Sequence, residues 1–205
     1  LDLPPHWRTL YWALATWSVG GCVEVPRERG SDAVSPPPAE GTGRAPADVV
    51  VTDAVDVAAG VSAGSGAAVL VTLAGLARSA GGPVPAGVVD EARDLATHGD
   101  VFDPWDEPDP SDPALRVLGT GGHPGDDTAS GGGVGDVGDG DTAYGTLVPE
   151  RTGTPERVHT STVDTADFLR LALGVLADDG SLVLTRGETT EDVLTSRLTS
   201  EGVTR

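Results

Sequence analysis

The sequence predicts an α/β domain whose βαβ units form a mainly parallel sheet. Two stretches carry this expectation. Near the start, Leu1–Leu3, the amphipathic run "PPHWRTLYWALATWSVGG" and "CVEVP" read as strand, helix and strand. Towards the end, "STVDTADFLRLALGVLADDG", "SLVLT" and "TTEDVLTSRLTSEG" read as helix, strand and helix. Strands joined through a helix normally pair in parallel, because the chain must cross the sheet before it can return. A length of 205 residues is enough for one domain with a real core. A single domain over 1–205 is therefore expected, interrupted by low-complexity loops at 26–47 and 119–141.

In the first helix, Trp7, Leu10, Tyr11, Leu14 and Trp17 recur at three- and four-residue spacing and make one apolar face. Pro4 and Pro5 are tolerated at its start, where N–H groups have no intrahelical partner. Gly20 and Gly21 supply a stop. "DVVVT" (48–52) and "AAVLVTL" (67–73) are strands, separated by an Ala/Gly-rich stretch of undecided type. "VVDEARDLA" (88–96) suits a short helix. "VFDPWDEPDPSDP" (101–113) is irregular, since Pro recurs too often for a ladder or a helix. "ALRVL" (114–118) and "TAYGTLV" (142–148) are strands. The long helix after Ser161 has cap candidates in Ser161, Thr162 and Asp164, with Phe168, Leu171, Leu173, Val175 and Leu176 on its buried side. "SLVLT" (181–185) is a strand, and the last helix is capped by Thr189 or Thr190.

The chain holds no Lys, Asn, Gln, Ile or Met, and all 13 of its cations are Arg. That bias matches a very GC-rich genome. A net charge of −19 excludes a nucleic-acid binder, which needs a basic footprint for phosphates. Residues 90–141 alone carry a net −12, concentrated in loop-like text. A salt-adapted surface would be acidic throughout, so these are solvated acidic loops. One Cys makes no internal disulfide; Cys22 is expected to be a small buried hydrophobe beside a parallel sheet. No apolar run approaches the roughly 18 residues of a membrane span.

Several motifs fail on context. "GVSAG" (60–64) matches G-x-S-x-G with Ser62 as nucleophile, but that elbow joins a strand directly to a helix, and the nearest strand ends well before it. Nothing selects His98, His123 or His159 as its partner. "GGGVGDVGDGD" (131–141) resembles Gly/Asp calcium repeats, yet Asp136 falls one position early and there is one copy. The four His residues show no zinc spacing. "GSGAAV" (64–69) precedes a strand, whereas a dinucleotide fingerprint opens a helix. Arg8, the run Thr9–Val19 and "VGGC" (19–22) also match a bacterial lipoprotein signal with Cys22 lipidated. Asp2, Pro4, Pro5 and a single Arg depart from the positive start of such a signal.

The opening "LDLPPHWRTLYWALATWSVGGCVEVP" resembles the segment of adenylate-forming (AMP-binding, acyl-CoA-synthetase-like) enzymes in which a strand ends in Leu-Pro, a helix follows, and Gly leads to a strand ending in Val-Pro. "LPPHW", "THGDVFDPWDEPDPSDPAL" (97–115) and "LALGVLADDGSLVL" (171–184) are more narrowly similar to an actinobacterial family of uncharacterised proteins, itself distantly related to the N-terminal part of AMP-binding enzymes. The resemblance implies an N-terminal subdomain of adenylate-forming type, truncated so that Leu1–Leu3 is the end of an internal strand.

The family's phosphate loop is similar to T-S-G-T-T-G-x-P-K-G, whose glycines let backbone N–H groups approach the phosphates. In "PERTGTPERV" (149–158), Thr152, Gly153 and Pro155 match T-G-x-P. Glu156 stands at the Lys position and Arg157 at the next Gly, and the upstream T-S-G-T is missing. "GDGDTAYGTLVP" (138–149) also fits the family's Gly-Asp, strand, Leu-Pro pattern. The family's C-terminal catalytic Lys has no counterpart in a chain without Lys. The expectation is a non-catalytic, cytoplasmic domain that binds a protein partner or a small acyl or nucleotide ligand, with no catalytic, cofactor or metal residue assigned. The alternatives are a weak adenylation activity and a lipoprotein anchored through Cys22.

Overall fold

The structure, a computed structural model, describes residues 1–26, 47–99, 101, 107–118, 141–151 and 153–204. The low-complexity loops, including His123 and Asp136, lie essentially outside the described residues.

The elements run α1 (Trp7–Ser18), β1 (Val23–Pro26), β2 (Val49–Thr52), α2 (Val55–Ala63), β3 (Ala67–Leu70), β4 (Val88–Asp90) and α3 (Glu91–Asp94). A short 3-10 turn, β5 (Pro113–Leu118), β6 (Thr142–Ala143) and α4 (Tyr144–Leu147) follow. The chain then forms β7 (Arg157–Thr160), α5 (Thr165–Ala177), β8 (Ser181–Leu184) and α6 (Glu191–Ser200). β1 pairs with β5, β2 with β3, β3 with β4, and β7 with β8, all in parallel; β6 adds antiparallel to β5. The α/β class with mainly parallel pairing is as the sequence predicts.

Leu1–Leu3 is extended and joins two of these sheets. The Leu1 nitrogen donates to the Glu24 carbonyl of β1, and the Asp2 N–H donates to the Val51 carbonyl of β2 at 2.8 Å. Asp2 is bridged in parallel to Thr52. The order along the array is thus β6, β5, β1, segment 1–3, β2, β3, β4. Side chains on β3 alternate between faces, as a strand requires. Ala68 and Leu70 pack with Ala58 of α2, while Val69 and Val71 pack with Leu3, Val51 and Trp12 of α1. A helix therefore lies on each face of the sheet, the doubly wound arrangement. The largest core cluster joins Ala13 and Trp17 of α1, Val23 and Val25 of β1, Leu115 of β5, and Phe168, Leu169 and Leu173 of α5.

Packing corrects several details. The buried residues of α1 are Arg8, Thr9, Ala13 and Trp17, whereas Trp7 is 55% and Leu14 41% exposed. Helix packing rewards close approach, so small Ala13 takes an inner position. Thr9 can be inside because its hydroxyl donates to the Pro4 carbonyl at 2.6 Å. On α5 the buried set is Thr165, Ala166, Phe168, Leu169, Ala172 and Leu173; Leu171 and Val175 are half-buried and Leu176 is 45% exposed. Asp164 is its cap, accepting from the Asp167 N–H at 2.8 Å. Residues 88–90 are strand and not helix: β-branched Val88 and Val89 suit a strand, and the segment pairs in parallel with Ala68–Leu70. The strand expected over 142–148 is two residues long; the Tyr144 and Gly145 N–H groups turn away to the Asp112 and Pro110 carbonyls at 3.0 and 2.8 Å, and α4 follows. The undecided Ala/Gly stretch forms α2. Cys22 is half-buried beside β1, not fully buried.

Gly180, in the turn from α5 to β8, is required by close approach. A Cβ there would lie 2.5 Å from the Glu156 carbonyl oxygen and 2.9 Å from that of Val175. Gly180→Ala is expected to cost about 1–3 kcal/mol by overpacking against backbone. A urea melt matching wild type would show that the turn relaxes freely.

Candidate ligand site at the carboxyl edge

Because segment 1–3, β2, β3 and β4 run in parallel, their carboxyl ends lie along one edge. Segment 1–3 leads into α1 on one face, while its neighbour β2 leads into α2 on the other. Ligands of open α/β sheets bind outside the carboxyl ends where the connections part in this way. Asp2, His6, Thr52 and Asp53 stand at that point, with Thr72, Leu73, Asp90 and Glu91 further along the edge.

The edge is braced. The Thr52 hydroxyl donates to Asp2 Oδ2 at 2.9 Å and accepts the Ala54 N–H at 3.1 Å, which fixes the turn carrying Asp53. The Val71 N–H donates to the Thr52 carbonyl at 2.8 Å. The Ala80 N–H donates to both carboxylate oxygens of Asp90, at 3.1 and 2.9 Å, and so holds the 80–83 turn over the strand ends. Between them is a pocket of about 260 Å³, lined by Asp53, Val55, Thr72 and Leu73, the end of β3 and the 80–83 turn.

Two titratable groups define the electrostatics. His6 caps α1, its Nδ1 accepting the Arg8 N–H at 3.2 Å. Burial, helped by Arg186 and Arg8 and opposed by Asp53, holds its pKa below the ordinary 6.5. Arg8 forms an ion pair with Glu91, and the two side chains are only 5% and 2% exposed. Burial pushes the Glu91 carboxyl above 4.5, against the pull of Arg8.

The linkage signs are opposite. A depressed His6 pKa means that the unfolded chain binds more protons, so its contribution is full above pH 6.5 and lost as pH falls through the folded value. A raised Glu91 pKa contributes below 4.5 and is lost as pH rises through its folded value. His6→Asn, which caps without titrating, is expected to flatten the fall in stability on acidification below about pH 6.5. Urea midpoints from about pH 5 to 8 measure this; an unchanged slope would remove His6 as its source.

The residues singled out by motif lie elsewhere. Ser62 is near the end of α2, and its hydroxyl donates to the Ala86 carbonyl at 2.8 Å; no strand-to-helix elbow surrounds it. His98 follows the 3-10 turn and is exposed, and His159 on β7 faces the Thr185 hydroxyl at 3.1 Å, so neither joins Ser62. Thr152 lies outside the described residues. Gly153 and Glu156 line a separate cavity of about 470 Å³ together with Glu150, Asp178 and Arg170. That cavity is at the amino ends of β7 and β8, away from the carboxyl edge. The Gly153 N–H there donates to Asp178 at 3.1 Å, Arg151 pairs with Asp179, and Arg157 pairs with Glu201 at 2.5 Å. Pro155 lies in the same loop, which leads into a strand.

Sequence reasoning missed Asp2, His6, Thr52, Asp53 and Glu91. The one available signal was the strand ends themselves: an acidic residue directly follows "VVVT" and "VVD", and His6 follows "LDL" after Pro4 and Pro5. Among the described residues, no group of three metal-ligating side chains occurs, and no helix is long and apolar enough to cross a membrane. Comparison with protein-family models, with curated proteins and with solved structures finds no match to this chain.

Proposed function

We propose that this chain is a non-catalytic domain of adenylate-forming-enzyme type that binds a small acyl or nucleotide ligand at the carboxyl edge of its sheet, in the cytoplasm. The observation that carries the reading is the braced pocket outside the carboxyl ends of β2 and β3, one strand along from the point where α1 and α2 part to opposite faces. The resemblance of the opening segment supplies the family. The absence of catalysis is supported by the 149–158 loop: Glu150, Glu156 and Asp178 line its cavity, and Arg170 is the one cation among the described lining residues. Phosphoryl and adenylyl transfer depend on preorganised cations and N–H dipoles around the phosphates, and an acidic lining repels them. The lipoprotein alternative is disfavoured because α1, which would be part of the signal, contributes Ala13 and Trp17 to the main core.

Two measurements test the proposal. A thermal-shift screen of the full chain with acyl-CoAs, fatty acids, ATP and AMP is expected to find a stabilising ligand. Pyrophosphate exchange with a panel of carboxylic acids is expected to stay at the heat-killed background. Acid-dependent exchange well above that background would overturn the non-catalytic assignment and place the catalytic charge on Arg.

A further inference from the structure

We propose that the outward face of α1 docks a proline-rich segment of a partner protein, one with basic residues beside its prolines. Trp7, Tyr11 and Leu14 share one apolar stripe by their spacing, and the structure turns that stripe outward: Trp7 is 55%, Leu14 41% and Val19 48% exposed. The other side of α1 places Ala13 and Trp17 in the main core. A helix that is apolar all round normally has protein on every side. From Trp7 to Val19 the one charged residue is Arg8, which is buried. A charge-free strip rich in Trp and Tyr, on a chain of net charge −19, has the composition of an interface.

Ring geometry and hydrogen-bonding capacity select the occupant. His6, Trp7, Tyr11 and Trp12 form a ladder whose successive ring centres are 5.7, 5.5 and 5.9 Å apart. Arg8 lies against Trp7, and Trp12 is seated on the cluster of Leu3, Val51, Val69 and Val71, so the ladder is held in place before anything binds. The Tyr11 hydroxyl and the Trp12 Nε1–H are covered and have no hydrogen-bond partner among the described residues. Both can donate, and a slight turn of each ring presents them to a ligand. A polyproline II chain is their complement. Its carbonyls make no internal hydrogen bonds, its prolines bring no N–H in need of an acceptor, and its rings stack on aromatic faces. The face is 12 residues long, a strip of about 18 by 10 Å, well short of the roughly 800 Å² that each partner buries in a stable dimer. It therefore suits a narrow extended peptide better than a second copy of this chain. The strongly acidic chain selects basic flanks on that peptide. Its own Pro36–Pro38 run has Asp32 and Glu40 on either side, which is the wrong sign.

The full chain is titrated by calorimetry with a proline octamer carrying an arginine at each end, while the indole N–H signals of Trp7 and Trp12 are followed by NMR. Saturable binding that shifts both signals is expected. A Gly-Ser octamer between the same arginines is expected to bind about tenfold or more weaker, and Trp7→Ala to weaken the proline peptide by a similar factor. Tyr11→Phe removes a hydroxyl that has no partner in the free chain, so the fold survives, and it is expected to weaken binding about threefold or more. Exchanging the arginines of the peptide for glutamates is expected to weaken it further, by a margin that added salt reduces. Absence of saturation, equal binding of the Gly-Ser peptide, or affinity that survives both Trp7→Ala and Tyr11→Phe would overturn the proposal. So would binding that emerges only when Pro36–Pro38 are replaced by alanine, which assigns the face to this chain's own prolines. Dimerisation abolished by Trp7→Ala, with no peptide bound, would assign it to a second copy. The thermal-shift screen with acyl and nucleotide ligands reads the carboxyl edge and stands or falls independently of this face.

Discussion

Glu91→Ala is expected to lower the unfolding free energy by about 3–5 kcal/mol, because it leaves Arg8 buried without its counter-charge. Both side chains are almost fully inside, and Arg8 joins α1 to the start of α3 across the carboxyl edge. The Arg8 guanidinium also lies 4.8 Å from the centre of the Trp7 ring, which supplies a second favourable contact for the cation. The pair is incompletely satisfied: Arg8 Nε and Glu91 Oε1 have no hydrogen-bond partner among the described residues. Desolvation therefore offsets much of the attraction, and the double replacement Arg8→Met with Glu91→Leu is expected to be near neutral. Urea unfolding of the single and double variants measures both. A single-variant loss below about 1 kcal/mol would mean that the pair behaves as a solvated surface bridge.

Trp17→Ala is expected to cost about 3–5 kcal/mol, the range for deleting a large aromatic from a core. Trp17 is buried in the cluster shared by α1, β1, β5 and α5, and its Nε1–H donates to the Ala114 carbonyl at 2.7 Å. The substitution removes both the packing and the donor. Trp17→Phe keeps most of the ring and is expected to lose less, about 1–3 kcal/mol, chiefly through the abandoned carbonyl. Near-wild-type stability of Trp17→Ala would show that α1 is not integral to the core, and would revive the lipoprotein reading of Cys22. Membrane fractionation with and without Cys22→Ser would then decide that point.

How far the text of the chain could be read depended on the kind of signal. α1, α5 and α6 were legible because each combines a run of helix-compatible residues with a cap or stop: Asp164 before α5, and Gly20, at φ +76°, after α1. β1, β2, β3, β5 and β8 were legible as short apolar runs between turn residues. Which face of α1 is buried was not, because hydrophobicity ranks Trp7 and Leu14 above Ala13, Thr9 and Arg8, while packing needs small size and satisfied polar groups. The candidate site was illegible for a different reason. Asp2, Asp53, Thr72 and Asp90 are spread over 89 positions of sequence. No spacing rule connects them, and only strand order brings their chain segments to one edge.

The sequence by itself determined the α/β class, the parallel habit of the strands, and the Arg-only and strongly acidic charge. These follow from composition and from local periodicity, which act over a few residues. The tertiary structure alone decided that segment 1–3 lies between β1 and β2, that α1 and α2 take opposite faces, and that the 149–158 loop falls at the amino ends of its strands. It also placed Arg8 and Glu91 inside as a pair. Each of these is a long-range pairing, fixed by which backbone N–H and C=O groups and which apolar faces find partners once the chain is compact. The physical meaning of a polar residue at a strand end is set by the neighbours those pairings supply.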